Sequence, residues 1–219
     1  KKSTLEFIRD SESGIFVLPF SSFDGIPVSK TYYREEVVKQ LSDVKQSIIF
    51  SKYNTAALRH KESELKKKLL KLDGELDDVN MVYFDELGLN MLYIDEFHSY
   101  KNIDIDSSSY ALGINKKGSP KCNRALDKMR IIQRDNGGRG VVGSTGTPIT
   151  NSVTDIYYNM KALQNGELAL HGLSSFDSFV NEFFQKSIEF EIDVDTTGYR
   201  LATRYSRFKN LGNLISMFS

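Results

Sequence analysis

The fold of this chain is decided by one stretch, Met91-Leu92-Tyr93-Ile94-Asp95-Glu96-Phe97-His98. A short apolar run ends here in two adjacent carboxylates, and a histidine follows two residues after the second. An apolar run of this length between polar residues is typical of a buried strand in a parallel sheet. Ligands of open α/β sheets bind beyond the carboxyl ends of the strands, so we expect a site where Asp95 and Glu96 emerge.

The two carboxylates need a partner, because burying an unpaired carboxylate costs several kcal/mol or more. A divalent metal ion and a water molecule awaiting deprotonation would be such partners. We expect Asp95 to hold Mg²⁺, directly or through water, and Glu96 to orient and activate the attacking water. The alternative is a strand followed by a helix whose first turn is acidic, which the helix dipole favours.

A second chemical element lies downstream, in Ser144-Thr145-Gly146-Thr147-Pro148-Ile149-Thr150-Asn151-Ser152. It too follows a short apolar strand, Gly140-Val141-Val142-Gly143. Two hydroxyls separated by Gly146 at a strand end can bond a neighbouring carboxylate or histidine, and glycine lets the backbone approach closely. The alternative is a plain turn in which Asn151 or Ser152 caps the next helix, and both interpretations can hold together.

Composition limits the classes of partner. The 219 residues suffice for one large domain or a domain with an insertion. The 29 basic and 29 acidic residues cancel, so no global field recruits nucleic acid. The single cysteine excludes an internal disulfide and a multi-cysteine metal cage. The sequence has no apolar run of about 18 residues and no signal-peptide pattern, so we expect a cytoplasmic protein without membrane contact.

One local basic cluster is a candidate for contacts with nucleic-acid phosphates, although a flexible surface loop has the same composition. Its members are Lys116, Lys117, Lys121 and Arg124. Pro120 suits the first turn of a helix whose apolar stripe is Ala125, Met129 and Ile132, and which should end near Asn136-Gly137-Gly138.

The remaining pattern predicts three strands and a long helical segment. The strands lie near 15–20, 91–95 and 140–144. Between Lys30 and about Leu76, apolar residues recur at steps of three, four and seven, as in helices and coiled coils. One continuous helix would be about 65 Å long at 1.5 Å per residue, so we expect an antiparallel hairpin that turns near 51–54. It would be a docking arm or lever, or else a solvated arm that packs only on itself.

These motifs resemble those of a known family. Asp95-Glu96-Phe97-His98 resembles motif II of superfamily 2 helicases, and 144–152 is similar to motif III of the Swi/Snf-type branch, in which a Thr-Gly-Thr-Pro turn is followed by Asn. More narrowly, nearly the whole chain, including Gly137-Gly138-Arg139-Gly140-Val141-Val142, resembles part of large bacterial mobile-element proteins. Those proteins join an adenine-specific DNA methyltransferase to a Swi/Snf-type helicase module.

The resemblance implies part of an ATP-driven DNA helicase or translocase that uses Mg²⁺ and ATP. Asp95, Glu96 and His98 would be catalytic, and His98 would link the nucleotide site to the coupling residues Thr145, Gly146 and Thr147. The implied fold is an incomplete α/β RecA-like (P-loop NTPase) domain with a mainly parallel sheet. It would comprise 1–29 and 81–163, with a helical hairpin inserted at 30–80 and a helical extension at 164–219.

One part of the family's pattern is missing. No Gly-x-x-x-x-Gly-Lys-Ser/Thr stretch occurs in the 219 residues, so this chain alone should bind ATP weakly and hydrolyse it negligibly. The expected partners are DNA, a phosphate-loop segment upstream in the parent chain and a second RecA-like domain. One alternative is a non-catalytic module with a degenerate helicase fold that binds nucleic acid or a partner. Another is a metal-dependent hydrolase or nuclease centred on Asp95, Glu96 and His98.

Overall fold

The computed structural model describes residues 2–50, 56–107, 111, 113–150, 152–192 and 199–218. The chain divides into two compact units, Lys1–Gly88 and Leu89–Ser219. The first unit contains α1 (Lys2–Asp10), α2 (Phe20–Asp24), α3 (Lys30–Phe50), α4 (Ala56–Asp73) and a 3₁₀ helix (Phe84–Glu86). Among the described residues, no helix is long and apolar enough to cross a membrane.

The second unit mixes helices and strands. Its elements are β1 (Leu92–Ile94), a second 3₁₀ helix (Phe97–Tyr100), α5 (Pro120–Asp135), β2 (Val141–Gly143), α6 (Val153–Leu163), α7 (Asn165–Leu170), α8 (Phe176–Phe183), β3 (Phe184–Ile192), β4 (Tyr199–Phe208) and α9 (Leu211–Phe218).

The predicted helical hairpin is present as α3 and α4. The two helices share a seam of apolar residues whose spacing follows the helical repeat: Val37, Leu41, Val44, Ile48, Leu58, Leu65, Leu69 and Leu72. An ion pair of 2.9 Å between Arg34 and Asp73 joins the start of α3 to the end of α4, as an antiparallel pair requires. The predicted turn at 51–54 lies outside the described residues.

The N-terminus of α3 is held by a carboxylate from beyond α4. Asp77 accepts hydrogen bonds from the Lys30 amide (2.7 Å), the Thr31 amide (3.1 Å) and the Thr31 hydroxyl (2.8 Å). Partial burial by itself raises the pKa of Asp77, but these bonds outweigh it and hold the pKa below its usual value. An anion at this position satisfies free helix N–H groups and interacts favourably with the helix dipole.

The prediction of a strand near 15–20 is wrong. Residues 14–19 form no regular element, and Phe20 begins α2 after Pro19. Ile15 and Val17 are 95% and 91% exposed. A strand needs a hydrogen-bonded neighbour, and the described residues of the first unit contain no strand that could pair with this segment. The assignment of 1–29 and 81–163 to one core stays a prediction.

The other two predicted strands are confirmed as parallel neighbours, but the expectation that β1 is buried is only partly right, since Ile94 is buried and Tyr93 is 63% exposed. β1 pairs with β2 in the register Leu92↔Val141 and Ile94↔Gly143. The connection runs through α5, which buries Ala125, Met129 and Ile132 as predicted, and a crossover of this length is what parallel strands require. The expected α/β class is therefore present as helices with a small parallel sheet.

The extension at 164–219 was expected to be helical, and this is only partly right. α8 buries Phe176, Phe179 and Phe183 in one cluster with residues of α6, but β3 and β4 form an antiparallel hairpin between α8 and α9. The alternation of apolar and acidic residues from Ile188 to Ile192 is the period-two signal of a strand. The sequence-based prediction did not use that signal.

Replacement of Asp77 by alanine should destabilise the first unit. Three hydrogen bonds at the start of α3 are lost, so we expect Asp77→Ala to lower the free energy of unfolding by about 2 kcal/mol, measured by urea denaturation. The control is Asp73→Ala, which removes an exposed ion pair and should cost about 0.5 kcal/mol. Equal losses in the two variants would contradict a capping role for Asp77.

Candidate functional site

The carboxylate pair emerges where β1 ends. Ile94 is buried, whereas Asp95 and Glu96 are exposed. Glu96 has a left-handed backbone (φ 46°, ψ 48°) and is the one non-glycine residue with positive φ among the described residues. A residue in this region costs about 1–3 kcal/mol, and such strain is concentrated at functional sites. The chain then enters the 3₁₀ helix Phe97–Tyr100 rather than an α-helix with an acidic first turn.

Gly143 lets the 3₁₀ helix approach the end of β2. A Cβ atom on Gly143 would lie 2.6 Å from the Phe97 ring, which is closer than real Cβ contacts allow. Phe97 is 2% exposed, and its ring centroid lies 5.0 Å from that of Tyr158 in α6. The Phe97 amide also donates to the Ser144 carbonyl at 2.9 Å. Glycine at 143 therefore fixes the distance between the two strand ends.

The structure brings the carboxylates next to the loop formed by residues 144–150, which we call the hydroxyl loop. The Ser144 hydroxyl donates to Asp95 Oδ1 at 2.7 Å. The Ser144 amide donates to the Ile94 carbonyl at 2.9 Å and extends the parallel pairing by one residue. Asp95 thus has one oxygen fixed by a hydroxyl, while its side chain stays open to solvent.

His98 connects the second carboxylate to the hydroxyl loop. Its Nδ1 lies 3.2 Å from Glu96 Oε2 and 2.9 Å from Thr145 Oγ1. The Thr147 amide donates to the same Thr145 oxygen at 3.1 Å. One ring nitrogen of His98 therefore contacts both the second carboxylate and the hydroxyl loop.

The expectation that Gly146 permits a close backbone approach is not met within the described residues. No described atom lies within 4 Å of the position that a Cβ would occupy. The backbone of Gly146 is also outside the positive-φ region. The residue leaves open space on the outer side of the hydroxyl loop.

A third group of side chains was missed by the sequence-based prediction. Asp155 of α6, 4% exposed, accepts at Oδ2 from the Thr150 amide (2.9 Å), the Thr150 hydroxyl (2.6 Å) and Lys101 Nζ (3.1 Å). Burial by itself raises the pKa of Asp155, but the bonds from Thr150 and Lys101 outweigh it and hold the pKa below its usual value. The Ser-x-x-Asp spacing of Ser152 and Asp155 indicates a helix start, but it does not predict the contacts with Thr150 and Lys101.

The end of the hydroxyl loop is tied to α6. Ser152 caps this helix by accepting from the Thr154 amide at 3.2 Å, as predicted for Asn151 or Ser152. Asn151 lies outside the described residues. Asn159 of the same helix donates to the Pro148 carbonyl at 2.8 Å. The loop is therefore held at its start by the 91–98 segment and at its end by α6.

The basic cluster adjoins the 3₁₀ helix through one member. Lys121 Nζ lies 4.8 Å above the ring of Tyr100, the last residue of that helix. Lys116 and Lys117 are exposed in the loop before α5, and Arg124 is exposed on α5. α5 itself begins as predicted, with Pro120 in its first turn and Ser119 as the cap.

The donor set fits a metal ion held together with a nucleotide. No group of three or more His, Cys, Asp or Glu side chains that could hold a metal occurs in the described part of the chain. Mg²⁺ bound with a nucleotide needs one or two carboxylates, the rest being phosphate oxygens and water. An exposed Asp95 oriented by Ser144 meets that need.

Replacement of Gly143 by alanine should destabilise the second unit. The added methyl group meets the Phe97 ring, so we expect Gly143→Ala to lower the free energy of unfolding by about 1–3 kcal/mol. Gly146→Ala is the matched control, because its methyl group meets open space and should change stability by less than about 0.5 kcal/mol. Denaturant unfolding measures both, and similar losses would contradict the close approach at Gly143.

Asp155 should make the stability of the second unit depend on pH. Its pKa is lowered in the folded state, so its stabilising contribution is present above the unfolded-state pKa of about 3.9 and is lost as pH falls through the folded-state value. The difference in unfolding free energy between the wild type and Asp155→Asn should therefore be constant near neutrality and shrink at acid pH. A difference that stays constant down to acid pH would contradict this assignment.

Comparison with known proteins gives a family for the chain. No curated protein and no solved structure matches it significantly. One family model does match, that of a probable helicase domain, over residues 2–219. This match covers both strand ends, the hydroxyl loop and the C-terminal hairpin. The chain therefore belongs to the probable helicase domain family.

Proposed function

We propose that this helicase-family chain is part of an ATP-driven motor that acts on DNA, a helicase or translocase of the Swi/Snf-type superfamily 2 with a RecA-like core. One observation carries the proposal. The Asp95–Ser144 and His98–Thr145 contacts join the two motifs at the ends of adjacent parallel strands. A motor needs such a junction, because hydrolysis at one element must alter the other.

Asp95 and Glu96 would have different roles at the nucleotide. Bound Mg-ATP would supply the phosphoryl group and the cation that neutralises its charge. Asp95, with Oδ1 fixed by Ser144, would present its other oxygen to the metal. Glu96, whose side chain is 57% exposed, would orient the attacking water and accept its proton at the carboxylate.

His98 would carry the state of Glu96 to the hydroxyl loop. Glu96 Oε2 lies 3.2 Å from His98 Nδ1. A change at Glu96 during hydrolysis would alter this contact and, through the same ring nitrogen, the 2.9 Å contact with Thr145 Oγ1. Because Thr145 also accepts from the Thr147 amide, a change at His98 would reach the backbone of the loop.

The loop and the basic cluster would face the nucleic acid. Open space beside Gly146 leaves room for a sugar-phosphate backbone to approach Thr145 and Thr147. Lys116, Lys117, Lys121 and Arg124 would add phosphate contacts, which supply affinity but no sequence preference. Lys121 itself lies 4.8 Å above the ring of Tyr100, in the same 3₁₀ helix that carries His98.

The chain would depend on other segments of a larger protein. Its sequence contains no Gly-x-x-x-x-Gly-Lys-Ser/Thr stretch, so the phosphate-wrapping loop would come from elsewhere in the parent polypeptide. A second RecA-like domain would close over the nucleotide. We also propose that the parent carries an adenine-specific DNA methyltransferase, as in the mobile-element proteins that this sequence resembles.

Loss of the Glu96 carboxylate should nearly abolish ATP hydrolysis by the full-length parent. The amide of Glu96→Gln keeps the size of the side chain but cannot accept the proton, so we expect DNA-stimulated ATPase activity to fall by about 10²-fold or more. The measurement is phosphate release with and without DNA.

Glu167→Gln is the matched control, since Glu167 is a half-exposed glutamate of α7 outside the site. Its activity should equal that of the wild type. If Glu96→Gln hydrolyses ATP as fast as Glu167→Gln, the motor function is wrong. The alternative, a non-catalytic module that binds nucleic acid or a partner, would then be favoured.

A further inference from the structure

The 3₁₀ helix that follows Glu96 and its C-terminal cap, Lys101, present two side chains to the hydroxyl loop. A 3₁₀ helix has about three residues per turn, so residues three apart lie on the same face. The Lys101 amide donates to the His98 carbonyl at 3.3 Å and closes one such turn. His98 and Lys101 therefore share a face, and each contacts the loop: His98 at Thr145 and Lys101 at Thr150 (Nζ to Oγ1, 2.8 Å).

Asp155 completes the second of these contacts. It lies under Thr150 and accepts from its amide, its hydroxyl and Lys101 Nζ. The Asp155 side chain is 5% exposed and that of Lys101 is 31% exposed. Removal of the cation would leave a buried carboxylate with less compensation, and the groups around it would have to move.

The two contacts hold opposite ends of one short segment. The start of the hydroxyl loop is held by Asp95 through Ser144 and by His98 through Thr145. Lys101 adds a link from the far end, which α6 already holds through Asp155 and Asn159, to the 3₁₀ helix, and so reduces the freedom of the loop to move relative to that helix. Interactions that remove such freedom are effective because small displacements of reacting groups are costly.

We propose that Lys101 and Asp155 are positioning residues of this motor. They hold Thr150, as a clamp, so that the hydroxyl loop keeps its position relative to Asp95 and His98. This inference rests on the proposed function for its catalytic consequence, but the clamp itself is a structural claim. Neither residue touches the nucleotide in this role. Each acts through the loop.

The kinetic test uses the full-length parent and three lysine variants. Lys101→Met should lower kcat for DNA-stimulated ATP hydrolysis about tenfold, because the hydroxyl loop is no longer held in position relative to Asp95 and His98. KM for ATP should stay within about twofold, because ground-state binding is unchanged. Lys101→Arg keeps a cation that can donate to Asp155 and should restore kcat. Lys209→Met, which removes an exposed lysine that donates to the Asn181 carbonyl, should behave as the wild type.

A second measurement tests the clamp in the absence of ATP. Amide hydrogen exchange followed by mass spectrometry on the same proteins reports on peptides that cover 144–150. The Thr147 and Thr150 amides are both hydrogen-bonded in the clamped loop. In Lys101→Met, exchange should become faster in this segment and stay unchanged in α5. Lys101→Arg and Lys209→Met should exchange as the wild type does.

The outcomes separate the two proposals. Unchanged kcat or unchanged loop exchange in Lys101→Met would overturn the clamp, as would failure of Lys101→Arg to restore both. Faster exchange throughout 89–219 would also overturn it, because the lysine would then only stabilise the fold. If the Glu96→Gln parent is as active as the wild type, the motor function fails, and loop exchange alone decides whether the clamp exists.

Discussion

The pairing of two three-residue parallel strands is the constraint on which the site depends. β1 and β2 end at the same edge, so the residues after Ile94 and after Gly143 meet. The bond from the Ser144 amide to the Ile94 carbonyl and that from the Phe97 amide to the Ser144 carbonyl continue this pairing beyond the strands. The side chains of Asp95 and Ser144 are neighbours because the backbones already are.

A polar network surrounds this edge of the sheet. Hydroxyls of Ser144, Thr145 and Thr150 each bond a charged or titratable side chain from the first motif or from α6. Hydroxyl groups can donate and accept at once, and so they link groups of either charge state. A network of this kind can change its bonding without a large movement of the backbone, which the proposed coupling of hydrolysis to the hydroxyl loop would require.

Much of this site was predictable, and the reason is local. The apolar runs before Asp95 and Ser144 mark strand ends, and parallel strands place those ends together whatever the rest of the chain does. The same kind of apolar run near Ile15 predicted a strand that does not exist, because a run cannot report whether a partner strand is available. Lys101 and Asp155 are 54 residues apart in sequence. No spacing rule links a lysine that follows a 3₁₀ helix to an aspartate in a later α-helix.

The left-handed backbone at position 96 affects aspartate and glutamate differently. Aspartate is tolerated in this conformation better than glutamate, because its short side chain can bond locally. Yet an aspartate at the same position would hold its carboxylate one methylene closer to the backbone and farther from His98 Nδ1, which Glu96 approaches to 3.2 Å. The side-chain length that brings the carboxylate to His98 and the preference of the left-handed backbone therefore favour different residues at position 96. Glutamate, the longer acid, is present at the cost of conformational strain.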